Sequence, residues 1–107
     1  MFTYLIRSLT KAGDRLRTRI PNEVVNIYAF GSRVRGDHGE DSDLDILVVV
    51  QKRNPEVEQA VIDVFFEEEL RNGIPIEPTI KELSSFELER KHHSPFYENV
   101  VTEGIAL

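Results

Sequence analysis

The chain has no cysteine. That excludes a disulfide framework and any thiolate nucleophile or thiolate metal site. It has no run of ~18 apolar residues, so no membrane span is expected. Its first stretch, MFTYLIRSLTKAGDRLRTR, is amphipathic but lacks the separate apolar segment and small-residue cleavage site of a secretory leader. Positive charge is also scarce: 13 Lys and Arg stand against 19 Asp and Glu, for a net charge of −6. A protein that relies on the phosphate backbone for affinity needs a basic stripe, so direct nucleic-acid binding is not expected. A small anion held locally, or through a metal, is still open. No repeat, low-complexity stretch or linker interrupts the chain. The glycines offer no Walker A loop, because Gly36 is not followed by Lys and Ser or Thr, and no G-x-G-x-x-G follows a strand. A soluble, cytoplasmic protein is expected, free to form homo-oligomers.

What is present fits one domain, residues 1–107, long enough to bury roughly 60–70% of its unfolded surface. With 40% hydrophobic and 30% charged residues, the composition is that of a globular chain. Phe2, Leu5, Ile6, Leu9, Ala12 and Leu16 recur at helical spacing and predict a helix over Phe2 to Arg19, stopped by Pro21-Asn22. Val24 to Phe30 reads as a strand, broken by Gly31-Ser32, with a short helical turn over Ser32 to Arg35. Asp37 to Ser42 is a polar loop. Leu44 and Ile46 to Val50 give the strongest strand signal, and their continuous apolarity predicts burial on both faces. Asn54-Pro55 opens a helix marked by Val57, Ala60, Val61, Val64, Phe65 and Leu70, which ends near Asn72-Gly73. Ile74 to Lys81 reads as a third strand, with Pro75 and Pro78 placing it at an edge. Ser84 and Glu87 resemble a capping box opening a short helix to Lys91. Ser94-Pro95 opens a last helix, with Phe96, Val100 and Val101 inward and Gly104 as its cap. The order is α-β-(turn)-β-α-β-α-α, an α/β chain with one crossover helix between its second and third strands.

The stretch FGSRVRGDHGEDSDLDILVVV carries the chemistry. Residues two apart on a strand share a face, so Asp43 and Asp45 project together. At about 7 Å they repel by ~2 kcal/mol at an effective dielectric of ~20, and the apolar strand beside them adds desolvation. A divalent cation reverses both effects, and two such carboxylates with room for water and phosphate oxygens suit Mg²⁺. The Gly31-Ser32 turn can present backbone N–H groups and a hydroxyl to phosphate. Arg33 and Arg35 either touch phosphate or pair with Asp37, Glu40 or Asp41. Glu77 is the one acid inside the third strand. If that strand lies beside the second, Glu77 faces the same cleft, and three carboxylates can hold two ions, or hold one and accept a proton. Elsewhere, Glu67-Glu68-Glu69 reads as a solvated helix face. His92-His93 reads as a surface helix end without an acidic partner, and His38 as a loop residue.

This pattern resembles the minimal nucleotidyltransferases of the DNA polymerase β-like superfamily, of the antitoxin type paired with a helical HEPN protein. The matching residues are Gly31-Ser32 and Asp43-Leu44-Asp45, with Gly36, Ser42-Asp43 and the ending Pro95-Phe96…Glu103-Gly104; the match covers Val24 to Leu107. The resemblance implies a small mixed sheet with helices packed mainly on one face, an α/β (α+β) nucleotidyltransferase fold. It implies nucleotide binding at Gly31, Ser32 and Ser42 with Arg33 and Arg35 beside them, and Mg²⁺, as two ions, at Asp43, Asp45 and Glu77. It further implies transfer of AMP from ATP to a hydroxyl of a HEPN-type partner. Glu77 departs from the pattern, which usually has Asp there. The competing reading is a non-catalytic module that neutralises a helical partner by binding alone.

Overall fold

In a computed structural model, which describes residues 2–36 and 43–107, the elements run α1 (Phe2–Arg19), β1 (Val24–Phe30), α2 (Ser32–Arg35), β2 (Leu44–Val50), α3 (Pro55–Asn72), β3 (Ile76–Glu82), α4 (Leu83–Lys91), α5 (Pro95–Glu103) and β4 (Ile105–Ala106). The strands form one mixed sheet in the order β3-β2-β1-β4. β1 is antiparallel to β2 and to β4, while β2 and β3 run parallel, joined by α3 as the crossover.

β2 is the central strand, and its side chains explain why. Leu44, Ile46, Val48 and Val50 enter one core cluster with Leu9, Leu16, Val61 and Phe65 of α1 and α3. Leu47 and Val49 point the other way and pack with Phe86 of α4 and Val100 of α5. Each buried aliphatic side chain contributes ~1.5–3 kcal/mol, so this strand alone anchors both faces. The long helices and the larger cluster lie on one face, as the resemblance implied; the short α4 and α5 close part of the other. β3 sits at the edge, where Pro78 costs no central ladder bond.

Local signals place the helix ends. The Asn54 side chain accepts from Val57 N–H at 2.9 Å, and Gly73 adopts φ 71° at the end of α3. Ser94 caps α5 by accepting from Tyr97 N–H. Four expectations fail. The Ser84/Glu87 capping box does not form: α4 begins two residues earlier than that box requires, with Glu82 at its N-cap, and Glu87 pairs with Arg90 instead. Val101 faces outward, at 37% exposure, because its position on α5 turns away from the sheet. Gly104 caps α5 in extended rather than left-handed geometry, which lets Ile105–Ala106 pair with β1 as an unanticipated fourth strand. His93 does have an acidic partner, Glu98, with Nδ1 3.0 Å from its carboxylate.

The largest correction concerns Glu68. It is fully buried rather than solvated, beneath the contact between α1 and α3. Its carboxylate accepts from Ser8 Oγ at 2.5 Å, Arg15 at 3.1 Å, Arg71 at 2.9 Å and Asn72 at 2.6 Å. Burial pushes this carboxyl up, but the hydrogen bonds from Ser8, Arg15 and Asn72, with the charge of Arg71, outweigh it and hold it below the ordinary glutamate value. The stability supplied is therefore present above the unfolded-state pKa and is lost as pH falls through the lowered folded-state value. We expect Glu68→Ala to lower unfolding free energy by about 3 kcal/mol in urea titrations, by stranding the buried donors. Acid titration of Glu68→Gln should lack the corresponding loss seen in the natural chain.

Candidate active site

The site forms where β1 ends and β2 and β3 begin. Pairing in the sheet sets Phe30 opposite Asp45, and Asp45 opposite Glu77. Alternation along β2 puts Asp45 on the side of Leu47 and Val49, the face carrying α4 and α5. Asp43 precedes β2 by one residue and is exposed, and Leu44 N–H ties this start to Pro75 O at 2.8 Å.

Gly31 is required by the geometry. It adopts φ 92°, and a Cβ there would fall on Asp45 Oδ2. The turn that follows is closed by Val34 and Arg35 N–H donating to Gly31 O, both at 3.1 Å. Ser32 is thereby placed directly after the glycine, beside Asp45. A hollow of about 340 Å³ opens between this turn and α5. Its lining includes Gly31, Ser32, Arg35, Asp45, Phe96 and Asn99. Glu103 completes the far wall, and its carboxylate lies 3.5 Å from the Arg35 guanidinium.

Of the residues singled out by sequence, four therefore share one pocket: Gly31, Ser32, Arg35 and Asp45. Asp43 and Glu77 flank Asp45 along and across the sheet. Arg33 lies on the same turn but does not line the pocket. Ser42 and His38 lie outside the described residues, as do Asp37, Glu40 and Asp41. Sequence reasoning missed Asn99. Phe96 stood as an inward helix residue and, with Glu103, as a mark of resemblance, and Glu103's separation of 68 residues from Arg35 leaves no local signal of their contact.

The electrostatics follow from this crowding. Burial pushes the Asp45 carboxyl above its ordinary range; the Glu77 and Asp43 carboxylates push the same way, and Arg35 opposes them. The donors are all hard oxygens, the chemistry that suits Mg²⁺. Among the described residues no three His, Cys, Asp or Glu side chains form a ready-made cage. Asp43, Asp45 and Glu77 supply only carboxylate oxygens, so an ion held there would take the rest of its shell from water and ligand oxygens.

The site is thus a glycine turn packed on a strand carboxylate, at the edge of a pocket in a small mixed sheet. Comparison with known proteins gives the class. The chain belongs to the nucleotidyltransferase domain family, whose model matches residues 9–106, and it is a nucleotidyltransferase. It is 32% identical over 95 residues to "Putative protein adenylyltransferase MJ0604" of Methanocaldococcus jannaschii, covering 88% of each chain. Among solved structures it resembles a toxin–antitoxin with AMP-PNP, at TM-score 0.59 and 24% identity over 94% of this chain and 69% of that one. It resembles a mutant of the toxin–antitoxin MntA-HpeT at TM-score 0.58 and 22% identity, over 91% and 69% of the two chains. A nucleotidyltransferase-like structure from Sulfolobus solfataricus matches at TM-score 0.58 and 19% identity, over 97% and 79%. These structures share the fold.

Gly31→Ala should cost at least about 2 kcal/mol of stability, from the positive φ and the contact with Asp45. Chemical denaturation of Gly31→Ala/Asp45→Ala should recover part of that loss, leaving the φ strain. Strict additivity of the two substitutions would contradict the packing described.

Proposed function

We propose that this protein transfers AMP from ATP, with Mg²⁺, to a hydroxyl of a helical HEPN-type partner, as the antitoxin of a toxin–antitoxin pair. The observation that carries the reading is the placement of Asp45 between Gly31 and Glu77, at the mouth of a pocket lined by Ser32 and Arg35. The relative named as a protein adenylyltransferase and the toxin–antitoxin neighbours support it. In one of those neighbours two aspartates two positions apart have been replaced by glutamate, the spacing of Asp43 and Asp45 here.

In this mechanism the Gly31-Ser32 turn receives the triphosphate, with Ser32 donating its hydroxyl and Arg35 supplying charge. Asp43, Asp45 and Glu77 would hold the cation. Bound Mg²⁺ neutralises the carboxylates and the phosphate oxygens, so that anion and acids can share one site. The acceptor hydroxyl oxygen forms a bond to the α-phosphorus, and the bond to the β-phosphate oxygen breaks, releasing pyrophosphate. Glu77, exposed at the sheet edge, either helps to hold the cation or takes the hydroxyl proton in this reading. Ser42 and Arg33 belong to the nucleotide side of this scheme. A cytoplasmic setting, where ATP and Mg²⁺ are abundant, goes with it.

The alternative, neutralisation by binding alone, predicts no transfer. Thermal unfolding with ATP and Mg²⁺ together should show stabilisation of about 2–3 kcal/mol at 100-fold excess over Kd, and little with either alone. Asp43→Ala/Asp45→Ala should abolish it. Labelled AMP should then appear on a tyrosine or other hydroxyl of a co-expressed HEPN-type partner. Stabilisation without transfer would favour the binding-only reading, and no stabilisation would sink the nucleotide site.

A further inference from the structure

The pocket has two unlike walls. On one stand the Gly31-Ser32 turn and Arg35, rich in N–H, hydroxyl and guanidinium donors. The other is α5. Phe96, Asn99 and Glu103 follow one another there at spacings of three and four, so they share one face of the helix, and all three line the pocket. These three offer a phosphate chain no cation and one carboxylate. A nucleotide is divided in the same way. Its phosphates carry the charge, while its base and ribose are uncharged, with apolar ring faces, polar edges and hydroxyl donors. An aromatic ring suits the first, an amide such as Asn99 the second and a carboxylate acceptor the third. At about 340 Å³ the hollow is small for a ligand site, with room for one half of a nucleotide rather than the whole.

This wall is held by a charged pair that the transfer scheme does not use. Glu77, Thr79 and Lys81 alternate along β3, so Lys81 projects to the same face as Glu77. Its Nζ bonds to the Glu89 carboxylate of α4 and lies 4.2 Å from the centre of the Phe96 ring. The other oxygen of Glu89 accepts from Ser94 Oγ at 2.9 Å. Ser94 in turn caps α5, two residues before Phe96, accepting from Tyr97 N–H at 3.1 Å. Burial pushes the Glu89 carboxyl up, but the hydrogen bonds from Lys81 and Ser94, with the Lys81 charge, outweigh it and hold it below the ordinary glutamate value. One carboxylate thus fastens the start of α5 to the strand that bears Glu77. The Phe96 ring touches both Lys81 and Phe30, the residue paired with Asp45.

We infer that Phe96 and Asn99 form the subsite for the nucleoside half of the nucleotide, and that Lys81 and Glu89 are positioning residues that hold Phe96 there. The inference rests on the nucleotide reading above and adds which wall of the pocket takes the uncharged half. Lys81 acts through the ring and not on phosphate, because its ammonium is engaged by Glu89 and its side chain is only 25% exposed. A part-buried pair that also carries a cation–π contact holds its partners better than a pair in open solvent. Without Lys81 the start of α5 keeps its Ser94 cap but loses its tie to β3, and Phe96 loses the group that covers it. The Gly31-Ser32 turn and the carboxylates of Asp43, Asp45 and Glu77 keep their places, since none of them bonds to Lys81. Loss of the clamp therefore weakens contact with the nucleoside and spares contact with the phosphates.

Isothermal titration calorimetry with ATP and with inorganic tripolyphosphate, each with Mg²⁺, tests both parts. The natural chain should bind ATP at least about tenfold more tightly, since a base on an aromatic side chain adds affinity that a bare phosphate chain cannot. Asn99→Ala and Lys81→Met should each raise Kd for ATP about fivefold and leave tripolyphosphate unchanged. Lys81→Arg, which can still meet Glu89 and the ring, should keep most of the natural affinity. Far-UV circular dichroism shows whether Lys81→Met folds. If it does not, Glu89→Gln takes its place, keeping an acceptor for Ser94 and losing the charge that holds Lys81. Equal binding of ATP and tripolyphosphate by the natural chain overturns the subsite and leaves the phosphate and metal site standing. A substitution at Lys81 or Glu89 that alters neither ligand, or both alike, overturns the positioning role. Binding of neither ligand to the natural chain removes the nucleotide reading and this inference with it.

Discussion

Carboxylate repulsion across the start of β2 and β3 is the constraint around which the rest is arranged. Asp45 is set against Glu77 by strand pairing and against Gly31 by the absence of a side chain there. The strand that bears it is buried on both faces, so the acid cannot be relieved by moving the strand. The energy of two hydrophobic clusters is what keeps like charges together. A turn with positive φ, costly for any residue but glycine, then becomes the only backbone that fits beside Asp45.

The C-terminal segment depends on the same strand. Ile105–Ala106 pairs with Tyr28 and Ala29 of β1, just before Phe30 and Gly31. Leu107 N–H donates to Ile27 O at 2.9 Å, and Arg17 of α1 donates to Leu107 O at 2.9 Å. α5 is thus fastened to the strand that carries the glycine turn. Phe96 packs edge-on against Phe30 at 5.6 Å, and Lys81 of β3 sits over the Phe96 ring at 4.2 Å. The pocket is walled by the turn after β1, by Asp45 and by α5, which are brought together because β1 is paired on both sides. Relative motion of α5 and the turn would have to break β4, which offers only two residues to break.

Much of this was legible in sequence where one residue type answers one physical need. The β-branched run of β2, the Asn54-Pro55 and Ser94-Pro95 helix starts, Gly73, and the Pro78 edge strand all follow from local stereochemistry. The Gly31-Ser32 turn and the Asp43-x-Asp45 spacing were legible because a glycine break after a strand and like charges two apart on a strand each stand out locally. Contacts between distant elements were not. Glu68 sits in a run of three glutamates, and only the approach of α1, with Ser8 and Arg15, decides that the middle one is buried. Asn99 and the Arg35–Glu103 pair depend on where α5 is tied. β4 is too short to carry a period, and Ser84 with Glu87 had the spacing of a cap without the backbone that a cap needs.

The central claim is that the charges at Asp45 are arranged for a ligand and against the stability of the empty protein. Removing one of them tests it directly. Equilibrium urea unfolding of Asp45→Asn, compared with the natural chain at neutral pH, should show a higher midpoint without ligand, because a carboxylate held above its ordinary pKa destabilises the folded state once ionised. The advantage should shrink as pH is lowered towards the carboxylate range, and should reverse when ATP and Mg²⁺ are added. A variant less stable than the natural chain in the absence of ligand would contradict the account, since Asp45 would then be a structural acid serving the fold.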